Sequence, residues 1–240
     1  MQFMTCFMQQ RFMVIGYALV AGVLLVHQAA HAGRPMEVDD AGIVDYRSCQ
    51  LEAWSEHRKS SDGYWAMPAC NLTGNLELAV GGALEHPDQG ANTKALAIEA
   101  KTLLAEALGG STGVALSFAF ERQRFEGDDE NEWALNLPIT TFFAQERLAW
   151  HNNIGTAYAQ EEKHYVFTWG TGAEYALTEK VSLYGEVFGD STERPFYQVS
   201  TGYWVVPEQL QFTLGVGDKL EGNKEERWVS IGVNIVSLPF

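Results

Sequence analysis

Basic side chains are what this sequence most lacks. Sixteen Lys and Arg stand against 31 Asp and Glu, for a formal net charge of −15. No basic patch is present to match a phosphate backbone, which argues against a nucleic-acid partner. Long apolar runs are missing too. Beyond residue 32 no segment reaches the ~18–20 apolar residues that a membrane helix needs, which excludes a helical membrane protein. It does not exclude a barrel, whose strands are apolar on one face only. No Gly-rich phosphate loop or dinucleotide motif occurs, because the glycines fall in alternating segments and turns. Cysteine is sparse, at three residues, in a spacing that fits no metal site and with no nearby His to complete one. No cofactor is called for.

What is present begins with an address. Arg11 is the only charge before a run from Phe12 to Val26 that is apolar apart from Gly16, Tyr17 and Gly22. Ala30-His31-Ala32 then precedes Gly33. A basic head, a short apolar core and a small-x-small site predict a cleaved signal peptide over 1–32. No Cys follows the cleavage site, which argues against a lipoprotein. Cys6 leaves with the signal, so the exported chain keeps Cys49 and Cys70. An even number of cysteines in an oxidising compartment predicts a disulfide.

The strongest signal is a period of two. Leu78, Val80 and Leu84 alternate with Ala79, Gly81 and Ala83; Leu116, Phe118 and Phe120 alternate with Ser117, Ala119 and Glu121; Phe212, Leu214 and Val216 alternate with Thr213, Gly215 and Gly217. One face is apolar and often aromatic, the other small or polar. The pattern predicts strands near 50–58, 64–70, 75–84, 94–104, 113–123, 132–143, 148–159, 164–176, 181–189, 196–206, 210–218 and 227–236. Lys94 to Leu108 is rich in Ala and Leu and competes as a helix, but Leu96, Ile98 and Ala100 still alternate with Ala97, Glu99 and Lys101. Charged, Gly-containing loops alternate along the chain with compact turns such as Thr178-Glu179-Lys180 and Pro207-Glu208-Gln209. Twelve antiparallel strands with both termini on one side follow.

A soluble sandwich also alternates, burying its apolar faces between two sheets. Three features favour a barrel in lipid. The small and polar face recurs on every strand. Aromatics cluster near strand ends, at Tyr64, Trp65, Trp133, Phe142, Phe143, Trp150, Tyr158, Tyr165, Tyr175, Tyr197, Tyr203 and Trp228, as two interfacial girdles would. The chain then ends at Phe240 directly after a strand holding Trp228, Val229, Ile231, Val233 and Ile235. With this ending, residues 50–240 resemble a Gram-negative outer-membrane β-barrel protein. The final aromatic strand closing on Phe240 resembles the signal that the barrel assembly machinery reads in that class. Pro239 departs from the pattern, and the alternation slips by one between Ile235 and Leu238. More loosely, Tyr203-Trp204-Val205-Val206-Pro207-Glu208-Gln209-Leu210 resembles barrels described as transporters or phenol-degradation pathway proteins.

The expected fold is therefore all-β, a transmembrane antiparallel barrel of about twelve strands over 49–240 after a cleaved signal peptide. Residues 33–48 are acidic and irregular, and read either as a periplasmic lead-in or as a small plug. A hairpin centred near Lys59-Ser60 sets Cys49 opposite Cys70. With the apolar parity given to lipid, the lumen receives Glu52, Glu77, Glu99, Lys101, Glu121, His151, Glu174 and Glu186, together with Trp54, Glu56, Asn136, Asn153, His164, Thr168, Tyr184, Gln198 and Trp204. Acids outnumber bases. Two lumens fit: an open one, where carboxylates ring a water path and favour cations or polar solutes, and one filled by Glu–Lys contacts, Tyr184 and Trp204. The expected function is a channel or transporter for small solutes. A structural or surface-binding barrel is the alternative. A lipid-modifying enzyme would need a Ser, such as Ser117 or Ser200, and an orienting group near His151, which no local motif specifies. Expected partners are outer-membrane lipid and lipopolysaccharide, the assembly machinery, small solutes, and divalent cations held by the acidic loops.

Overall fold

The structure is a computed structural model that describes residues 36–107, 111–125, 128–160, 163–220 and 226–240. The expected signal peptide lies outside the described residues. Twelve strands follow in order: β1 (Ser48–Arg58), β2 (Ser61–Asn71), β3 (Glu77–Pro87), β4 (Thr93–Ala105), β5 (Thr112–Phe125), β6 (Asp128–Phe143), β7 (Leu148–Ala159), β8 (His164–Ala176), β9 (Val181–Asp190), β10 (Phe196–Val206), β11 (Leu210–Lys219) and β12 (Trp228–Pro239). Each pairs antiparallel with the next, and β1 pairs with β12 to close the barrel. Closure removes both sheet edges and leaves the backbone ladder self-satisfied, as a wall in hydrocarbon requires. The shortest strands hold 10 residues, roughly 33 Å along the strand; tilted by ~40°, that length crosses an apolar band of ~25 Å. Lys94 to Leu104 is strand, so alternation outweighed its helix-forming composition. β3 runs past the expected end at 84 and takes in His86 and Pro87.

The two faces separate cleanly. Outward positions are apolar and open: Val80 is 53% exposed, Ile154 52% and Val199 57%. Inward positions are polar and buried, among them Glu52, Glu77, Lys101, His151 and Asn234. A two-layer sandwich would place the apolar set inside, and the closed barrel inverts that arrangement. Three of the expected girdle aromatics point inward instead. Trp65, Phe142 and Trp228 share the parity of the buried polar residues on their strands. Their position near strand ends is shared with true girdle residues, but the one-residue offset turns them to the other face.

Proline and the chain end explain the irregularities. Pro68 faces Leu51 on β1, and Pro138 faces Asn153 on β7. On their other sides the ladders skip, between Ala66↔Gly82 and Ala69↔Ala79 for β2–β3, and between Val114↔Ile139 and Ser117↔Asn136 for β5–β6. A residue without N–H cannot donate on that side. The slipped alternation near the C-terminus is a bulge. The β1–β12 register shifts between Cys49↔Leu238 and Leu51↔Ile235, with Ser237 at φ 55°. Phe240 follows the strand, and its N–H donates to the Arg47 carbonyl at 3.1 Å.

Cys49 and Cys70 are direct cross-strand partners and form a disulfide with a sequence separation of 21. They point outward at the end that carries both termini. Opening the bridge with Cys49→Ser and Cys70→Ser is expected to lower the unfolding free energy by about 3 kcal/mol, from loop-closure entropy. Equilibrium denaturation of the detergent-folded barrel reads this. An unchanged midpoint would mean that the closed wall already supplies the constraint.

Candidate functional site

The lumen is crossed by the chain's own N-terminal segment. From the β1 end inward, Asn71 Nδ2 donates to the Val44 carbonyl at 2.7 Å, and Val44 N–H donates to Glu77 Oε2 at 2.6 Å. Ala41 N–H donates to Thr140 Oγ1 at 2.9 Å. Asp39 and Asn153 exchange two bonds of 2.7 Å. Glu37 and Val38 N–H groups both reach the Glu186 carboxylate, at 2.9 and 2.8 Å. The segment therefore meets β2, β3, β6, β7 and β9 in turn. A closed wall offers no strand edge, so buried backbone donors inside it need side-chain acceptors. Asn71, Glu77, Thr140, Asn153 and Glu186 supply them. Ile43 and Val44 are buried as well. On β8, Gly170 and Gly172 make room: a Cβ at Gly170 would stand 2.7 Å from Val38 Cγ2, and one at Gly172 would collide with Met36.

One cation anchors this contact. Lys101 is fully buried, and its Nζ lies 2.9 Å from Asp39 Oδ1 and 3.4 Å from Asp40 Oδ1. Burial raises the Asp40 carboxyl to about 7, against the opposing pull of Lys101; the neighbouring charge of Asp39 adds to the rise. A carboxyl whose seated pKa exceeds its ordinary value of 3.8 binds its proton more tightly when seated. Its contribution is complete below that ordinary value and is lost as pH rises through about 7. Limited proteolysis of residues 36–47 in the folded barrel is thus expected to be faster at pH 8 than at pH 5. Asp40→Asn should shrink the difference, and a parent profile already flat would refute the assignment.

The expected lumen residues divide into two groups. Glu77, Lys101 and Glu186 touch the N-terminal segment directly. His151 acts at one remove. Its Nδ1 lies 2.9 Å from the Thr140 Oγ1 that also accepts the Ala41 N–H. Glu174 is buried and in register with Tyr184. Glu52 is buried and accepts a long bond from Gln50 at 3.4 Å. Glu99 and Glu121 are half-buried on the wall; Gln123 donates to Glu121 at 2.5 Å. Sequence reading missed Asp39, Asp40, Asn71 and Thr140. The available signal was an acidic pair between apolar Val38 and Ile43-Val44, a composition that favours a buried partner over a solvated lead.

Two cavities border the segment, and Glu37 and Trp54 line both. One of ≈ 220 Å³ is lined by Asp39, Glu52, Met67, Glu99 and Asn136 among others. The other, ≈ 310 Å³, opens towards the end opposite the termini and is lined by Trp54, Glu56, Arg58, Trp65, Phe196 and Trp228 among others. Trp54 and Trp65 stack in parallel at 5.5 Å. Arg58 lies 4.7 Å over the Trp228 ring and donates to Glu56 Oε2 at 2.8 Å. The wall from β9 to β12 is filled differently. Gln211 Nε2 donates to Tyr184 Oη at 2.9 Å, Asn234 Nδ2 donates to Gln211 Oε1 at 3.1 Å, and Trp204 packs on Val236. Among the described residues no group of three or more His, Cys, Asp or Glu is placed to hold a metal ion.

This architecture matches known barrels. The KdgM porin in complex with disordered oligogalacturonate superposes with TM-score 0.62 at 10% identity, covering 78% of this chain and 98% of that one. The COG4313 outer membrane channel from Pseudomonas putida F1 gives TM-score 0.62 at 11% identity over 83% and 100% of the two chains. The NanC porin gives 0.53 at 7% identity over 79% and 99%. At such identities the likeness shows the fold, that of bacterial outer-membrane barrels of the porin and channel kind. A search of curated protein sequences finds no match. A family model does match, over residues 20–237, and by it the chain belongs to the family described as Uncharacterised conserved protein UCP029691.

Proposed function

We propose that the protein is a plugged outer-membrane channel for small solutes in a Gram-negative bacterium, with residues 36–47 as the plug. The observation that carries this reading is the manner of seating. The segment is held by hydrogen bonds and one ion-pair cluster to wall side chains, with Val38, Ala41, Ile43 and Val44 buried beside them, and two cavities border it. Each hydrogen bond of this kind is worth only about 0.5–1.5 kcal/mol net, because its groups find water on release; the buried Lys101 pair is the larger hold. The wall facing the path carries Glu52, Glu56, Glu99 and Glu121, so cations and uncharged polar solutes are favoured over anions. The KdgM porin is described with oligogalacturonate, a carboxylated sugar; the acidic wall here argues for cargo of the other sign or of none.

The test is planar-bilayer recording of the folded mature chain. Discrete current steps with cation preference are expected, larger after deletion of residues 36–45. Silence from both parent and deletion would sink the channel reading. The Tyr184–Gln211–Asn234 chain and the Trp204–Val236 contact support the second reading, a filled structural barrel. Under that reading the deletion stays silent.

A further inference from the structure

The lipid-facing wall carries a concentration of charge that the channel reading does not use. Six basic residues lie in strands: Arg58, Lys94, Lys101, Arg122, Arg124 and Lys219. Arg58, Lys101 and Lys219 face inward, against Trp228, Asp39 and Phe196. The other three all face outward, and all at one place. Lys94 is the direct partner of Arg124 across the β4–β5 ladder, and Arg122 pairs with Leu96 one repeat nearer the membrane. All three are exposed. Across the β5–β6 ladder Arg124 stands in register with Asp129 and Arg122 with Asn131. In a chain of net charge −15, this convergence is not a product of composition.

Its surroundings identify the occupant. The trio lies at the end opposite the chain termini, the outer-leaflet end for a barrel of this class. Immediately below it is an outward aromatic belt. Phe120 and Trp133 are 4.3 Å apart, and Tyr158 and Tyr165 are 4.7 Å apart on the next strands. Trp133 and Tyr158 are cross-strand partners that join the two pairs. Below the belt lie Leu96, Ile98 and Phe118, all exposed. The vertical order is guanidinium and ammonium groups, then amphipathic rings, then aliphatic surface. That order matches a phosphorylated glycolipid: phosphate oxygens on the fork of an arginine, sugar rings at the belt, acyl chains on the wall. We propose that Lys94, Arg122 and Arg124 form a binding site for the phosphorylated glucosamine headgroup of outer-leaflet lipopolysaccharide. Direct pairing to the protein here differs from cation-bridged adhesion through the acidic loops, and should survive chelation.

The test uses the folded mature chain in a neutral detergent, titrated with bisphosphorylated lipid A, dephosphorylated lipid A, phosphatidylglycerol and inorganic phosphate, with EDTA present throughout. Native mass spectrometry and thermal unfolding read binding. Retention of bisphosphorylated lipid A, with at least tenfold weaker retention of the other three, is expected. The variant Lys94→Gln/Arg122→Gln/Arg124→Gln should lose that preference, while Arg122→Lys/Arg124→Lys keeps most of it. If the triple variant does not fold, Arg122→Gln and Arg124→Gln singly should each weaken binding at least threefold. Equal retention of phosphatidylglycerol, or unchanged binding by the glutamine variants, would overturn the site. Conductance is read separately, so failure here leaves the channel reading standing.

Discussion

Replacing Lys101 by Met is expected to open the barrel. The substitution keeps the length and bulk of the side chain and removes the buried cation that faces Asp39 and Asp40. Breaking one partner out of a buried ion pair costs about 3–5 kcal/mol, because the remaining charge stays desolvated. If that cost falls on the seated plug, its release is favoured by about 10² or more. Current through single barrels should then rise from brief events to long openings, approaching the level set by deletion of residues 36–45. Asp40 gives the effect a pH signature. At pH 5 its carboxyl takes up a proton and loses the need for Lys101, so the variant should reclose in part; at pH 8 it should not. The same barrel run on a gel without heating must show the folded mobility of the parent, which separates plug release from collapse. A Lys101→Met barrel with parental current at pH 8 would show that the ion pair does not hold the plug.

The barrel itself was legible in the sequence because its determinants are local and repeated. Val114 to Phe120 or Leu210 to Val216 each state their strand and their lipid face without reference to anything distant. The pairing of Cys49 with Cys70 was legible for the same reason, since one hairpin turn fixes it. The plug contacts were not. Val38 meets Glu186 across 148 positions, and Asp39 meets Asn153 across 114. Their donors are backbone N–H groups, which every residue carries. No spacing rule links an acid on β9 to a backbone amide before β1. Parity placed Glu77, Lys101 and Glu186 inside, but only the fold shows that these three meet the chain while Glu99 and Glu121 do not do so in the same way. The inward turn of Trp65 and Trp228 had the opposite difficulty. Each sits beside a lipid-facing aromatic or aliphatic neighbour, Tyr64 or Val229, and composition near a strand end does not distinguish adjacent residues. The signal was the paired glycine: Gly63 and Gly217 lie where the two indoles need space, since a Cβ at either would stand 2.0–2.1 Å from a ring carbon.

A covalent lock should reverse the opening. An ideal Cβ at Gly170 falls 3.7 Å from Val38 Cβ, within the ~3.5–4.5 Å that a disulfide spans. Val38→Cys with Gly170→Cys is therefore expected to bridge the plug to β8 on oxidation. In the Lys101→Met background the oxidised lock should abolish the long openings, and reductant should restore them. The native Cys49–Cys70 bridge faces outward and is present in every barrel compared, so Lys101→Met alone, recorded with and without reductant, isolates the effect of the new bond. The ratio of open time with the lock reduced to open time after plug deletion then gives the fraction of barrels whose plug is released. Adding the lock to the otherwise unaltered chain measures the seated population directly, because rapid oxidation requires Val38 to rest against Gly170. Slow or absent bridging, together with openings indifferent to oxidation, would mean that residues 36–47 are not the element that closes the path.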